Sequence, residues 1–207
     1  MHRMKKHLVF FLIISSNYLF SQSLKDKYIS KIDSTRNQIK LDMINSSRPP
    51  ISIADTAFLQ YYPADIQWKL EAKITLTPNE IPFELPTSSG KTKLFKKYAL
   101  ARMAIQGQEF ELSIYQNQAF LNNPDLMDHL FIPFLDATNG ETTYEGGRYI
   151  DITISDISLD KVIIDFNLCY NPYCAYSSGY NCPIPPAENR LKIPINAGEK
   201  KWSKSDH

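Results

Sequence analysis

The sequence predicts an all-β fold, mainly antiparallel, forming a sandwich or small barrel-like single domain behind one N-terminal helix. Three observations carry this expectation. Apolar and polar residues alternate with period two from Ile66 to Leu76, as in a strand with one buried face. After Pro50, short strand-like runs recur with turn signals every ten or so residues, the rhythm of antiparallel sheets. Aromatics make up 12% of the chain and 13 prolines outnumber 7 glycines, which suits pleated surfaces joined by stiff turns.

Taken in order, residues 1–22 read as a secretory signal peptide. Arg3, Lys5 and Lys6 supply the positive start, Leu8 to Ile14 the apolar centre and Leu19-Phe-Ser21 a cleavage site. The apolar run is shorter than the ~20 residues that a spanning helix needs, and no cysteine stands near the cleavage point to take a lipid. The expectation is an exported product, periplasmic or extracellular, with no stable membrane insertion once the signal is removed. The alternative is an uncleaved N-terminal anchor. Residues 23–50 read as a helix and linker, because Leu24, Tyr28, Ile32, Thr35, Ile39 and Met43 recur three or four apart. Asn45-Ser-Ser-Arg-Pro-Pro50 then ends the helix.

Residues 51–200 read as the β-rich domain. Ile81–Pro86 is an edge segment, since its prolines cannot serve a central ladder. Tyr98–Ile105 and Glu109–Tyr115 flank Gln106-Gly107-Gln108 as a hairpin. Phe131–Leu135 and Glu141–Tyr144 flank Asn139-Gly140, a strong hairpin signal. Arg148–Ile154, Val162–Phe166 and Leu191–Ile195 complete about eight strands, and residues 201–207 read as a disordered tail.

Composition excludes some function classes. The formal charge of +1 becomes −2 once the first 21 residues are set aside, with 20 basic and 22 acidic residues remaining. No Lys/Arg cluster interleaves with aromatics to track phosphates, so no nucleic-acid partner is expected; the Lys93–Lys97 group belongs on a solvated strand or turn. Nucleophile elbows, zinc-protease helices, P-loops and dinucleotide fingerprints are all absent from the sequence. His129 is the one internal histidine of the mature chain. It has Ser and Asp residues elsewhere to pair with, but beside an apolar strand it reads first as structural.

The three cysteines lie close together, at 169, 174 and 182. In an oxidising compartment a bridge outweighs a metal site or a redox motif, and the ligand set is too small for zinc. Of the three possible pairings, Cys174–Cys182 is preferred, because Cys169 ends a strand pattern and is suited to an inward, apolar setting. No cofactor or metal is implied. Around this loop crowd Arg148, Asp151, Asp165, Asn167, Asn171, Glu188, Asn189, Arg190 and Glu199. Such groups either satisfy loop backbone and one another or form a polar pocket in which arginine meets a carboxylate or phosphate.

Several segments in order carry a resemblance: Leu130-Phe-Ile-Pro-Phe-Leu-Asp136, Thr142-Thr-Tyr-Glu-Gly-Gly-Arg-Tyr149, Asp165-Phe-Asn167, Tyr170-Asn-Pro172, Cys174-Ala-Tyr176, Cys182-Pro-Ile-Pro-Pro186, Glu188-Asn-Arg-Leu191 and Ala197-Gly-Glu-Lys200. Together they resemble the bacterial domain of unknown function 1684 family over roughly the last 150 residues. The resemblance implies an extracytoplasmic protein and brings no activity with it. It also implies that Arg148, Asp165, Asn167, Asn171, Asn189, Arg190 and Glu199 form one constellation. Cys169 stands where the family usually has a small alanine-like residue, which supports an unpaired thiol. Three functions follow as expectations. The first is a non-enzymatic binding or accessory module for a small polar or anionic ligand of the cell envelope, using the Arg148/Asp165/Asn189/Arg190 face. The second is a hydrolase or lyase with Asp165 or Glu188 as general base and arginine assistance. The third is a purely structural clasp.

Overall fold

The computed structural model describes residues 4–105 and 107–204, and for residues 4–21 the helical backbone alone. The signal-peptide reading therefore falls almost wholly outside the described side chains. Among the described residues no helix is long and apolar enough to cross a membrane. Helix α1 (Met4–Asn45) stops where the turn formers begin. Tyr28, Ile32, Ile39 and Met43 turn inward as their spacing requires, whereas Leu24 is exposed. Arg36 belongs to the same inward face despite its charge. It donates to the carbonyls of Asn167 (2.9 Å) and Tyr62 (3.1 Å) and lies over the Tyr61 ring.

Seven strands follow: β1 (Lys69–Leu76), β2 (Phe83–Pro86), β3 (Thr92–Ile105), β4 (Gln108–Asn117), β5 (His129–Phe134), β6 (Arg148–Thr153) and β7 (Lys161–Asp165). They form one sheet in the order β6-β5-β4-β3-β1-β7, every strand pairing being antiparallel, with β2 on the β1 side of the long β3. Laid flat, the five steps from β6 to β7 would span about 24 Å at roughly 4.8 Å each. Instead β6 and β7 come within 8 Å. The sheet is therefore a curled half-barrel. Just beyond β7, Tyr170 exchanges both backbone hydrogen bonds with Tyr149 of β6 and draws the open edge in.

The two faces of the sheet carry different cores. The concave face buries Ala99, Leu112, Ile132, Ile150 and Ile164 with Phe166, Leu191 and Ile195. The other face buries Leu85, Phe95, Tyr115, Phe131 and Tyr149. Strand β3 serves both because of a bulge. Lys97 pairs with Tyr115, but Ala99 pairs with Ile114, so Tyr98 is one residue too many. Since side chains alternate across a strand, the extra residue sends Lys93 and Phe95 to the outer face and Ala99, Ala101 and Met103 to the inner one.

Two expected strands are absent. Strand β5 pairs with β6 rather than with Glu141–Tyr144. The Asn139-Gly140 segment is instead a knot of turns, in which Asn139 Oδ1 accepts from Asp136 N–H and Thr143 N–H bonds Thr138 C=O. Leu191–Ile195 carries no ladder, because Pro194 interrupts it; Leu191 and Ile195 fill the inner core as irregular chain. Residues 201–204 of the expected tail lie against the domain, with Trp202 packed on Phe58 and Tyr176.

Asn189 repairs a gap in the sheet. From the Tyr115–Phe131 pair, Ser113 and Pro133 come next, and Pro133 has no N–H to offer Ser113. The Asn189 amide enters there instead. Its Oδ1 accepts from Ser113 N–H (2.7 Å), and its Nδ2 donates to the carbonyls of Ser113 (2.9 Å) and Pro133 (2.8 Å). Asn189→Leu keeps the volume and strands those three backbone groups, so urea unfolding should show a loss of about 3 kcal/mol. The neighbouring exposed Arg190 provides the control: Arg190→Ala should change stability by no more than about 0.5 kcal/mol.

Candidate functional site

The polar residues singled out from sequence do not form one constellation; the fold distributes them among separate settings. Arg148 is wholly buried and faces Asp136, not Asp165. Its Nη2 donates to Asp136 Oδ2 (2.8 Å) and to the Ile195 carbonyl (2.9 Å). Its Nη1 donates to the carbonyls of Ala197 and Glu199. Gly198 is required in this strap: at φ +72° it passes so close to Cys169 that a Cβ would collide with the sulfur and two carbonyls. The Glu199 carboxylate continues the network, accepting from Tyr176 Oη (2.6 Å) and Asn171 N–H (3.0 Å), while Asn171 Nδ2 donates to Lys200 C=O. Arg148, Asn171 and Glu199 are thus brought together.

Asp165 and Asn167 belong to a second network, which docks helix α1. Tyr28 Oη donates to Asp165, and Asn167 bonds both backbone groups of Asp65. Burial, then Asp165, raises the Tyr28 phenol above its usual range. Asn189 acts in the sheet, and Arg190 is exposed with no side-chain partner among the described residues. Glu188 takes Tyr115 Oη (2.8 Å) and Lys97 Nζ (3.1 Å), so it shares no partner with Asp165. Cys174 and Cys182 are joined by a disulfide and Cys169 is buried and free. Among the described residues no group of His, Cys, Asp and Glu side chains could hold a metal ion.

A large cavity lies elsewhere, on the outer face of the sheet. It is a groove of about 620 Å³ between strands β3, β5 and β6, the C-terminal part of α1 and the bridged loop. Its floor is aromatic: Phe95 stacks on Phe131 (5.7 Å), and Phe131 meets Tyr149 edge-on (4.7 Å). Ile39 and Met43 of α1 form one bank, and Tyr173, Tyr180 and Cys182 of the bridged loop form another. At the β6 end Asp151 lies 3.1 Å from His129 Nε2 and accepts from Tyr170 Oη (2.6 Å), and Phe120 packs against the imidazole. His129 of β5 therefore has an Asp partner on the neighbouring strand β6. Of the expected ligand-binding residues Asn171 alone lines this groove, joined by Asp151, His129 and Cys182, which the sequence also singles out. The lining comes from segments between residues 39 and 183, and no spacing rule gathers them.

Two consequences are measurable. Burial pushes the Glu199 carboxyl up to about 7, against the opposing pull of Tyr176, Asn171 and Arg148. A raised folded-state value means that the unfolded chain releases this proton first. Stability from this group is complete below about 4.5 and falls as pH rises to about 7, by roughly 3 kcal/mol. Urea denaturation at stepped pH should show that decline in the natural protein and a flatter profile in Glu199→Gln. For the cysteines, intact-mass analysis should give one disulfide and one thiol, Cys169, which alkylates only after unfolding. Alkylation at Cys174 and Cys182 without reductant would contradict the bridge.

Comparison with known proteins places these features in a lineage. No curated protein matches the chain. The solution NMR structure of an uncharacterized protein from the haloarchaeon Haloarcula marismortui is similar, with 29% identity and a TM-score of 0.65 over 88% of this chain and 99% of that one. The sequence profile described as "Protein of unknown function (DUF1684)" matches residues 55–200, the span that holds all seven strands, the Arg148 network and the bridged loop. With more than half its length so matched, the chain belongs to the DUF1684 family of proteins of unknown function.

Proposed function

We propose that this protein is a non-enzymatic binding module, exported to the periplasm or beyond, that holds a small molecule with an apolar body and a polar or anionic group in the aromatic groove. The observation that carries this reading is the groove itself: a cavity of about 620 Å³, within the size range of small-molecule sites and lined as they are, mostly by apolar rings with a few polar groups. Its banks are held in place before any ligand arrives. The disulfide fixes the loop that carries Tyr176, Tyr180 and Asn181, and Glu199 grips the same loop through Tyr176 and Asn171. Preorganisation of this kind lowers the ordering cost of binding. Export is supported by the charged-then-apolar N-terminus and by a disulfide, which persists in oxidising compartments. The Arg148 network serves here as the clasp that shapes one bank, and the binding role moves from the arginines to the groove.

The neutral fluorescent probe N-phenyl-1-naphthylamine tests the reading. It should bind saturably with one site per chain, and Leu126→Trp, which fills the groove from the loop after β4, should weaken it at least tenfold. Absence of saturable binding, or equal binding by the variant, would remove the groove as the site.

A further inference from the structure

One charged group in the groove has no side-chain or backbone partner among the described residues. Lys93, on the outer face of β3, lines the groove half-buried. Among the described residues its ammonium has no hydrogen-bond or ion-pair partner, and loss of water is the one influence on its titration, lowering it. The other charged groups that face the groove are engaged. Asp42, on the rim, accepts from Gln38 Nε2 (2.9 Å). Asp151 spends one oxygen on His129 and the other on Tyr170. Lys93 on β3 and Asp151 on β6 are three strand spacings apart, roughly 14 Å or more. The groove therefore has a positive end and a negative end, with an aromatic floor between them.

Keeping a partly desolvated ammonium unpaired costs stability, and the pleat alone would not put it there. The extra residue at Tyr98 is what directs Lys93 outward. We infer that the groove takes a flat, ring-containing organic anion, seated with its acidic group on Lys93 and its rings over Phe95, Phe131 and Tyr149. This rests on the binding reading above and narrows it to a ligand class. The anion supplies the missing acceptors in a charge-assisted hydrogen bond, the floor supplies ring contacts, and the carboxylate of Asp151 at the far end sets the orientation by repulsion.

The test compares two probes that share one body. 1-Anilinonaphthalene-8-sulfonate is N-phenyl-1-naphthylamine with a sulfonate added. On the natural protein the anion should bind about tenfold more tightly than the neutral probe, with one site per chain, and added salt should shrink the advantage. Lys93→Gln should abolish the advantage while leaving the neutral probe's affinity unchanged, which also shows that the groove is intact. Lys96→Gln, at a half-buried lysine outside the groove whose ammonium bonds the Pro78 carbonyl, should change neither. If the anion gains nothing on the natural protein, or its gain survives in Lys93→Gln, the ligand class is overturned and the groove reading stands. If neither probe binds saturably, the groove reading falls and takes this inference with it.

Discussion

A guanidinium sealed from water organises the C-terminal strap of this molecule. Arg148 lies at the start of β6 and reaches four acceptors on two segments, with Asp136 as its counter-ion. A charge buried this completely is tolerable only where paired and hydrogen-bonded, so the strap from Ile195 to Glu199 has one place to lie. That strap then fixes everything that touches it. Gly198 packs on Cys169, Tyr62 N–H bonds the Gly198 carbonyl, and Glu199 N–H bonds the Cys169 carbonyl. Irregular chain that would otherwise leave backbone groups unpaired becomes the floor of the inner core.

The sheet solves two packing problems at once, and the bulge in β3 is the means. A strand of fourteen residues with unbroken alternation would put one set of side chains on one face throughout. The extra residue at Tyr98 exchanges the faces midway, so small residues (Ala99, Ala101) fill the curled interior while Phe95 joins the outer aromatic cluster. Pro133 poses the opposite difficulty, a missing donor, and Asn189 supplies it from outside the sheet. The bulge brings Lys93 and Phe95 to the groove, whereas the Asn189 patch closes the sheet outside its lining.

Much of this fold is legible in the sequence because local patterns dominate it. Alternation from Leu70 to Leu76 marks β1, Gly107 at φ +80° turns β3 into β4 as its residue type requires, and Pro86 confines β2 to a position off the main strand order. The failures have a common cause. Leu191–Ile195 looks like a strand because its apolar residues are buried, but burial comes from the Arg148 strap and not from a ladder. Asn139-Gly140 does form a turn, yet Asp136 and Asn139 recruit the following residues into further turns instead of releasing them into a strand. The polar constellation was legible as residues and not as partners. Asp136, the actual counter-ion of Arg148, sits in a segment that reads as a hairpin arm, and Arg36 reads as solvent-facing because charge on an amphipathic helix normally is. The groove left no local trace at all, since β3, β5, β6, α1 and the bridged loop each contribute only a few of its residues.

The family profile begins at residue 55, yet Ile39, Asp42 and Met43 stand along the groove. The groove is thus a joint product of the matched domain and of the helix that lies before its boundary. Cutting the chain at the domain limits would strip away one side of the channel and leave the aromatic floor open to water.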